Sequence, residues 1–326
     1  MEIKATLILL LCISLALLII VAIICGIAKI FGSPFKKNFK RGAYILLITP
    51  TLVLYGAFIE RETTQVNDIV VTSEKLPQSF DGYRIVQISD IHLRSFEGRE
   101  AALNRIVDKI NHLAPDAIMF TGDLVSIKSS ELDFAEDILR KMKANDGIYS
   151  VLGNHDYCFY YQWDDEIQRA MDAQSVVERQ KAMGWHLLMN ENMDIIRGND
   201  TISVIGVENT SSRMKKFRSY GNLAKALQGA EGGYKILLTH DPSHWRAEVV
   251  GRTEIDLTLS GHTHGMQSSI AGWSVISHIY KEWMGLYREG NQSLYVNIGL
   301  GETMFPFRIG AAPEITVITL KRANNQ

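Results

Sequence analysis

Five short polar islands carry side chains that bind metals: Asp90-Ile91-His92, Gly122-Asp123, Gly153-Asn154-His155-Asp156, Thr239-His240-Asp241 and Gly261-His262-Thr263-His264. In an extended chain, residues two apart point to the same side, so Asp90 with His92, and His262 with His264, each present two donors together. Asp123 has two carboxylate oxygens and can bridge two ions, and Asn154 offers a neutral carbonyl oxygen. This mixed nitrogen and oxygen set suits divalent Mn, Fe, Zn or Co. Two such ions a few ångströms apart are machinery for hydrolysing phosphate esters. Alone, an Asp-x-His tripeptide is commonplace, and an Asp after a Gly is an ordinary turn residue. The joint occurrence is what carries the reading. His155 has no structural task in a polar turn, and His240, His262 and His264 each follow an apolar run. His112, His186 and His278 have no such setting and read as ordinary core or surface residues.

Regular elements must bring these islands together. Apolar runs read as buried strands at 83–89, 117–120, 147–152, 234–239 and 255–260, each leading into an island. Between the first three, residues 99–113 show helical periodicity on one face (Ala102, Ile106, Ile110, Leu113) and 132–142 read as a second helix; 164–183 read as a third. The pattern then changes to strand-like runs at 186–189, 193–197, 201–207, 294–298 and 314–320. βαβ units followed by a more antiparallel half predict an α/β layered domain. The ligands fall just past the C-terminal ends of strands, the edge at which open α/β sheets bind.

The first 60 residues differ from the rest. Residues 5–28 carry no charge, and a second apolar run covers 43–59 with Pro50 inside it. The first is long enough to cross a bilayer and the second has about the minimum length. Lys29, Lys36, Lys37, Lys40 and Arg41 lie between them without an acid, which predicts a cytoplasmic loop and an extracytoplasmic catalytic region. If only one run spans, the catalytic region changes sides. The expected organisation is a membrane anchor at 1–60, a polar linker at 61–80 with one strand near 68–72, and a catalytic domain at 81–326. The net charge of −2 among 326 residues offers no basic field for nucleic acid. The three cysteines, Cys12, Cys25 and Cys158, imply no disulfide framework.

The ordered series Asp-x-His, Gly-Asp, Gly-Asn-His-Asp, His and Gly-His-x-His resembles the calcineurin-like metallophosphoesterase superfamily over about residues 83–320. Asn297-Ile298-Gly299-Leu300-Gly301, Pro306-Phe307-Arg308 and Pro313-Glu314-Ile315 resemble its branch of bacterial membrane-associated phosphohydrolases. The resemblance implies a four-layer αββα sandwich. It implies one metal on Asp90, His92, Asp123 and His264, and a second on Asp123, Asn154, His240 and His262. A hydroxide shared between the metals would attack phosphorus. His155 would stabilise charge or protonate the leaving oxygen, and Asp156 would orient His155. Ser126 stands where purple acid phosphatases have a tyrosine ligand, which disfavours a ferric tyrosinate site. Met266 replaces a glycine usual in this branch and leaves Gln267 as a polar contact; Arg94 and Arg308 are candidate phosphate clamps. The expected activity is that of a membrane-anchored phosphodiesterase. Its partners would be the bilayer and a phosphoester, with aromatics such as Trp273 and Trp283 pointing to a lipid-linked one. The alternatives are a pyrophosphohydrolase for a nucleotide-linked lipid precursor and a catalytically silent scaffold of the same fold.

Overall fold

Strands and helices alternate as the periodicity predicts, and the computed structural model describes residues 2–212, 218–270 and 272–323. Among the described residues twelve strands form two six-stranded sheets. The first contains β1 (Gln65–Ser73), β2 (Arg84–Ile88), β3 (Ala117–Phe120), β4 (Ile148–Ser150), β5 (His186–Leu187) and β12 (Glu314–Arg322), in the order β1-β12-β2-β3-β4-β5. The second contains β6 (Glu191–Arg197), β7 (Asp200–Gly206), β8 (Tyr234–Leu238), β9 (Leu257–Ser260), β10 (Gly285–Glu289) and β11 (Gln292–Val296), in the order β10-β11-β9-β8-β7-β6. The helices are α1 (Glu2–Ile30), α2 (Phe35–Phe58), α3 (Glu100–His112), α4 (Glu136–Leu139), α5 (Glu166–Ala182) and α6 (Leu223–Ala226).

Alternation along each strand decides the layering. Ile85, Met119, Tyr149 and Ile318 of the first sheet share one core with Val204, Ile236, Leu238 and Leu259 of the second, so the sheets pack face to face. Val86, Ile88, Ile118 and Phe120 point the other way and meet Leu103, Ile106 and Ile110 of α3 and Val176 of α5. Behind the second sheet, Ile205, Leu237 and Val296 pack on Leu223 of α6 and on Trp245.

Parallel pairing brings the strand ends level. Ile88 of β2 lies beside Phe120 of β3, which lies beside Ser150 of β4. In the second sheet Leu238 of β8 lies beside Leu259 of β9. All five polar islands therefore leave the sheets at one edge.

Three expectations change. Residues 132–142 form only the short α4, because the chain before it is held as a loop: the Glu131 carboxylate accepts from the amides of Ser126, Ile127 and Arg94. Residues 61–80 are more than a linker, since β1 pairs along its whole length with β12 at the edge of the first sheet. At the N-terminus, α1 contains the one segment among the described residues, Leu10–Ile30, that is long and apolar enough to cross a membrane. The second run does not qualify as a second such segment. It belongs to α2, which starts in the basic stretch at Phe35 and ends against the catalytic domain. Val53 and Ala57 are buried, Arg308 N donates to Gly56 O (3.2 Å), and a Cβ at Gly56 would lie 2.6 Å from the Phe307 ring.

Directly after α2, the buried side chains of Arg61 and Glu302 pair through two contacts, Nε to Oε1 at 3.2 Å and Nη2 to Oε2 at 3.4 Å. Removing one partner of such a pair strands the other charge, whereas replacing both with apolar groups is often neutral. Arg61→Met is therefore expected to destabilise the full chain by about 3 kcal/mol in detergent, with Arg61→Met/Glu302→Leu recovering most of the loss. Thermal unfolding of both variants, read by circular dichroism, checks this.

Candidate metal centre

The turns that leave the strands are strained. Asp90 (φ 49°), His92 (φ 44°), Asp123 (φ 59°), His262 (φ 72°) and His264 (φ 51°) all adopt left-handed backbone. Each such residue costs on the order of 1–3 kcal/mol, and surrounding contacts must hold it there. Asp90 N donates to Gly122 O (2.9 Å), His92 N to Asp123 O (3.1 Å), and Gly261 N to His240 O (3.0 Å). Two glycines permit the close approach. A Cβ at Gly153 would run into the Asp123 carboxylate, and one at Gly261 into the Asp90 carboxylate and Ser89.

The donors converge in three overlapping groups: Asp90, His92 and His264; His92, Asp123 and His155; and Asp123, His240 and His262. Within each group the candidate ligand atoms lie within 4.8 Å of one another. His92 Nε2 is 3.1 Å from His264 Nε2 and 3.5 Å from Asp123 Oδ2. His264 Nε2 is 3.2 Å from Asp90 Oδ1, and His240 Nε2 is 3.1 Å from both Asp123 Oδ2 and His262 Nδ1. Asn154 Nδ2 donates to Tyr160 Oη (2.8 Å), while Asn154 Oδ1 is buried and accepts no hydrogen bond. An amide oxygen orphaned among carboxylates and imidazoles fits a divalent cation.

Hydrogen bonds on the far side of each ring select the tautomer. His240 Nδ1 faces the carbonyl of Thr121 (2.8 Å), which can only accept, so Nδ1 carries a proton and Nε2 is the ligand nitrogen. Tyr280 Oη gives its single proton to Asp241 Oδ2 (3.1 Å), so His262 Nε2, 3.0 Å away, must donate to Tyr280. His262 Nδ1 then faces His240 Nε2 across the pocket (3.1 Å), and Tyr280 and Asp241 orient a candidate ligand, as outer partners of metal sites do.

The electrostatics favour cations. Burial works to raise the Asp123 carboxyl, but His240 and His155 hold it well below the usual range. Burial likewise opposes protonation of His240, and Asp123 overturns that, pushing the imidazole up to about 10. Burial and then the charge of His155 hold His92 low.

Three expected roles move. Asp156 does not touch the His155 ring. Its carboxylate accepts from four amides, those of Gly153 (2.9 Å), Asp123 (2.9 Å), Leu124 (2.8 Å) and Val125 (3.1 Å), and so builds the loop that carries Asp123. His155 Nδ1 donates instead to Ser126 O (2.6 Å), and Tyr160 stacks on the His155 ring at 4.1 Å. Gln267 is buried and donates to Phe305 O and Phe307 O (2.9 Å each), bracing a loop rather than facing a substrate. Arg308 is no phosphate clamp: it is fully buried, donates to the carbonyls of Ile298, Gly299 and Ala311, and lies 3.4 Å from His264 Nδ1. Arg94 does line the cavity beside the donors. That cavity has a volume of about 1180 Å³, and Asp123, Asn154, His155, His262 and His264 form its floor with Arg218, Tyr220 and Glu302 on its walls.

Sequence reasoning missed Tyr160, Tyr280 and the carbonyls of Thr121 and Ser126. Tyr160 lies six residues after Asn154 in an aromatic-rich stretch, which was its one visible signal. Asp156→Asn would turn amide donors against backbone donors. It should lower bound metal and cost about 1–3 kcal/mol of stability, as measured by elemental analysis and thermal unfolding.

Residues 83–266 match the family model described as calcineurin-like phosphoesterase. The chain is 34% identical over 293 residues to a transmembrane protein with metallophosphoesterase domain from Danio rerio, covering 88% of this chain and 64% of that protein. It is 29% identical over 303 residues to the Bacillus subtilis metallophosphoesterase YkuE, covering 89% of this chain and 98% of that one. It is 26% identical over 298 residues to a UDP-2,3-diacylglucosamine pyrophosphatase, LpxG, from Chlamydia muridarum, covering 75% and 86% of the two chains. The chain spans less than two thirds of the length of the Danio rerio protein, and it belongs to the calcineurin-like phosphoesterase family.

Proposed function

We propose that two divalent cations bind at the strand ends and that the chain cleaves a phosphodiester on a lipid-linked or amphipathic molecule. Asp90, His92, Asp123 and His264 would hold one cation, and Asp123, Asn154, His240 and His262 the other. The observation that carries this reading is the overlap of the donor groups at Asp123, which belongs to two of them. A pair of cations supplies an activated water and neutralises charge on the phosphoryl oxygens. The metal could be Mn, Fe, Zn or Co, since the donor set accepts each.

The chain's own residues do the rest. His155 Nδ1 is committed to Ser126 O, so proton exchange with the leaving oxygen falls to Nε2. Stacking on Tyr160 holds the ring against the cavity. Arg94 is placed to contact a phosphoryl oxygen with a fork of donors. Asp156 keeps Asp123 in its strained turn by holding three successive amides.

A second reading, cleavage of a pyrophosphate in a nucleotide-linked lipid, is favoured by the name of the Chlamydia relative and by a cavity far larger than one phosphate group. For membrane placement, α1 would cross the bilayer and the basic stretch would stay in the cytoplasm; the catalytic domain would be extracytoplasmic only if the shorter apolar run of α2 crosses back, and cytoplasmic if α1 alone spans.

Three outcomes are expected. The native chain should hydrolyse bis-p-nitrophenyl phosphate, lose that activity on chelation and regain it with manganese. His155→Ala should lower turnover by about 10²–10⁴-fold with bound metal unchanged. Full activity in His155→Ala would remove the acid assignment, and no turnover with any metal would leave the scaffold alternative. A reporter fused after residue 326 should read an extracytoplasmic C-terminus; a cytoplasmic reading would mean that one apolar run does not span.

A further inference from the structure

Three segments meet beside the cavity and expose an apolar surface. The first is the end of α2, tied to the domain through Gly56 O and Arg308 N, with Tyr55, Phe58 and Ile59 exposed. The second is the loop through Met304 and Phe305, which also lines the cavity. The third is the turn in which Ile270 and Trp273 pair through their backbones, with Trp273 N donating to Ile270 O (3.0 Å) and Ile270 N to Trp273 O (2.9 Å).

Hydrogen bonds make these segments one body. Ile309 N donates to Gln267 O and Ser269 N to Ile309 O, both at 2.9 Å. The Gln267 side chain reaches Phe305 O and Phe307 O and accepts from Thr303 N (2.6 Å). Arg61 and Glu302 lock the residues just after α2 to the start of the cavity loop. The large apolar side chains exposed on these segments are Met266, Ile270 (71% exposed), Trp273 (53%), Val275, Met304 (90%) and Phe305. A contiguous apolar patch on this scale marks an interaction site rather than scattered surface residues.

We propose that this face seats in the interfacial layer of the bilayer that holds the N-terminal helices, so that the cavity takes its phosphoester directly from a lipid-borne substrate. The occupant follows from continuity, since α2 ends in the patch and its exposed Tyr55, Phe58 and Ile59 extend it without a break. An exposed tryptophan beside aliphatic side chains is the pattern of residues that settle at headgroup level. Met304 and Phe305 belong both to the patch and to the cavity rim, so the apolar face leads to the metal donors. The substrate part of this inference rests on the hydrolase reading; the seating part does not.

The test uses the full chain in nanodiscs of phosphatidylcholine, plain or brominated on the upper acyl carbons. Bromine quenches only tryptophans in contact with the acyl region; Trp185, Trp245 and Trp283 are buried, and Trp163, half-buried against the helix-side core, sets a background that Trp273→Phe leaves in place. The native chain should be quenched in brominated discs, and Trp273→Phe should lose most of that quenching. Equal quenching in the two proteins, or none in either, overturns the seating. An unquenched Trp273 with two copies per disc would show that a second copy of the chain covers the face, and that too overturns it. Ile270→Glu/Trp273→Glu should keep hydrolysis of soluble bis-p-nitrophenyl phosphate and lose hydrolysis of a diacylglycerol p-nitrophenyl phosphodiester in the discs. Equal rates for variant and native chain on the lipid ester overturn the route from the bilayer. Quenching is read without turnover, so a failure of the hydrolase reading is seen separately.

Discussion

Imidazoles and carboxylates crowded into one buried pocket set the terms for this molecule. The ligand nitrogens of His240 and His262 lie 3.1 Å apart, as do those of His92 and His264, and Asp123 Oδ2 stands 3.5 Å from His92 and 3.1 Å from His240. Thr121 and Tyr280 fix protons on the outer nitrogens of His240 and His262 and so direct the bare nitrogens inward. Positive charge held among them relieves the crowding, whether it is the proton that Asp123 keeps on His240 or a bound cation. Much of the surrounding structure answers this demand. Five ligand residues sit in left-handed backbone, two glycines make room for carboxylates, and Asp156 is spent entirely on amides that hold a turn.

Asp90, His92, Asp123, Asn154, His155, His240, His262 and His264 stood out in the sequence as candidates because each follows an apolar run and none has an obvious structural task. Parallel register then brings them to one edge, and strand order did not need to be known for that. An α/β layered domain was legible from runs such as 117–120 and 255–260, whereas the two sheets packed face to face were implied only by the family resemblance.

Other features were hidden for physical reasons. A backbone carbonyl that fixes a tautomer, as Thr121 and Ser126 do, carries no side-chain signature. Arg308 and Gln267 have the right chemistry for a substrate contact, yet both are consumed by carbonyls of the loops they brace. Asp156 follows His155 in sequence, but a turn sends the two side chains to different partners. The second apolar run looked like a free span; its last turns are instead packed on Phe307, a contact made 250 residues away in the chain and invisible to any local window.

The packing at the end of α2 has a mechanical meaning. A domain hung on a slack tether sweeps a hemisphere and meets targets by tumbling. Here Gly56, Arg61 and β1 are bolted in turn to Arg308, Glu302 and β12, and little loose chain remains between them. The cleft therefore keeps one height and one heading relative to its helical stem, and with that stem in a bilayer encounters would become a matter of lateral drift and rotation about a single axis.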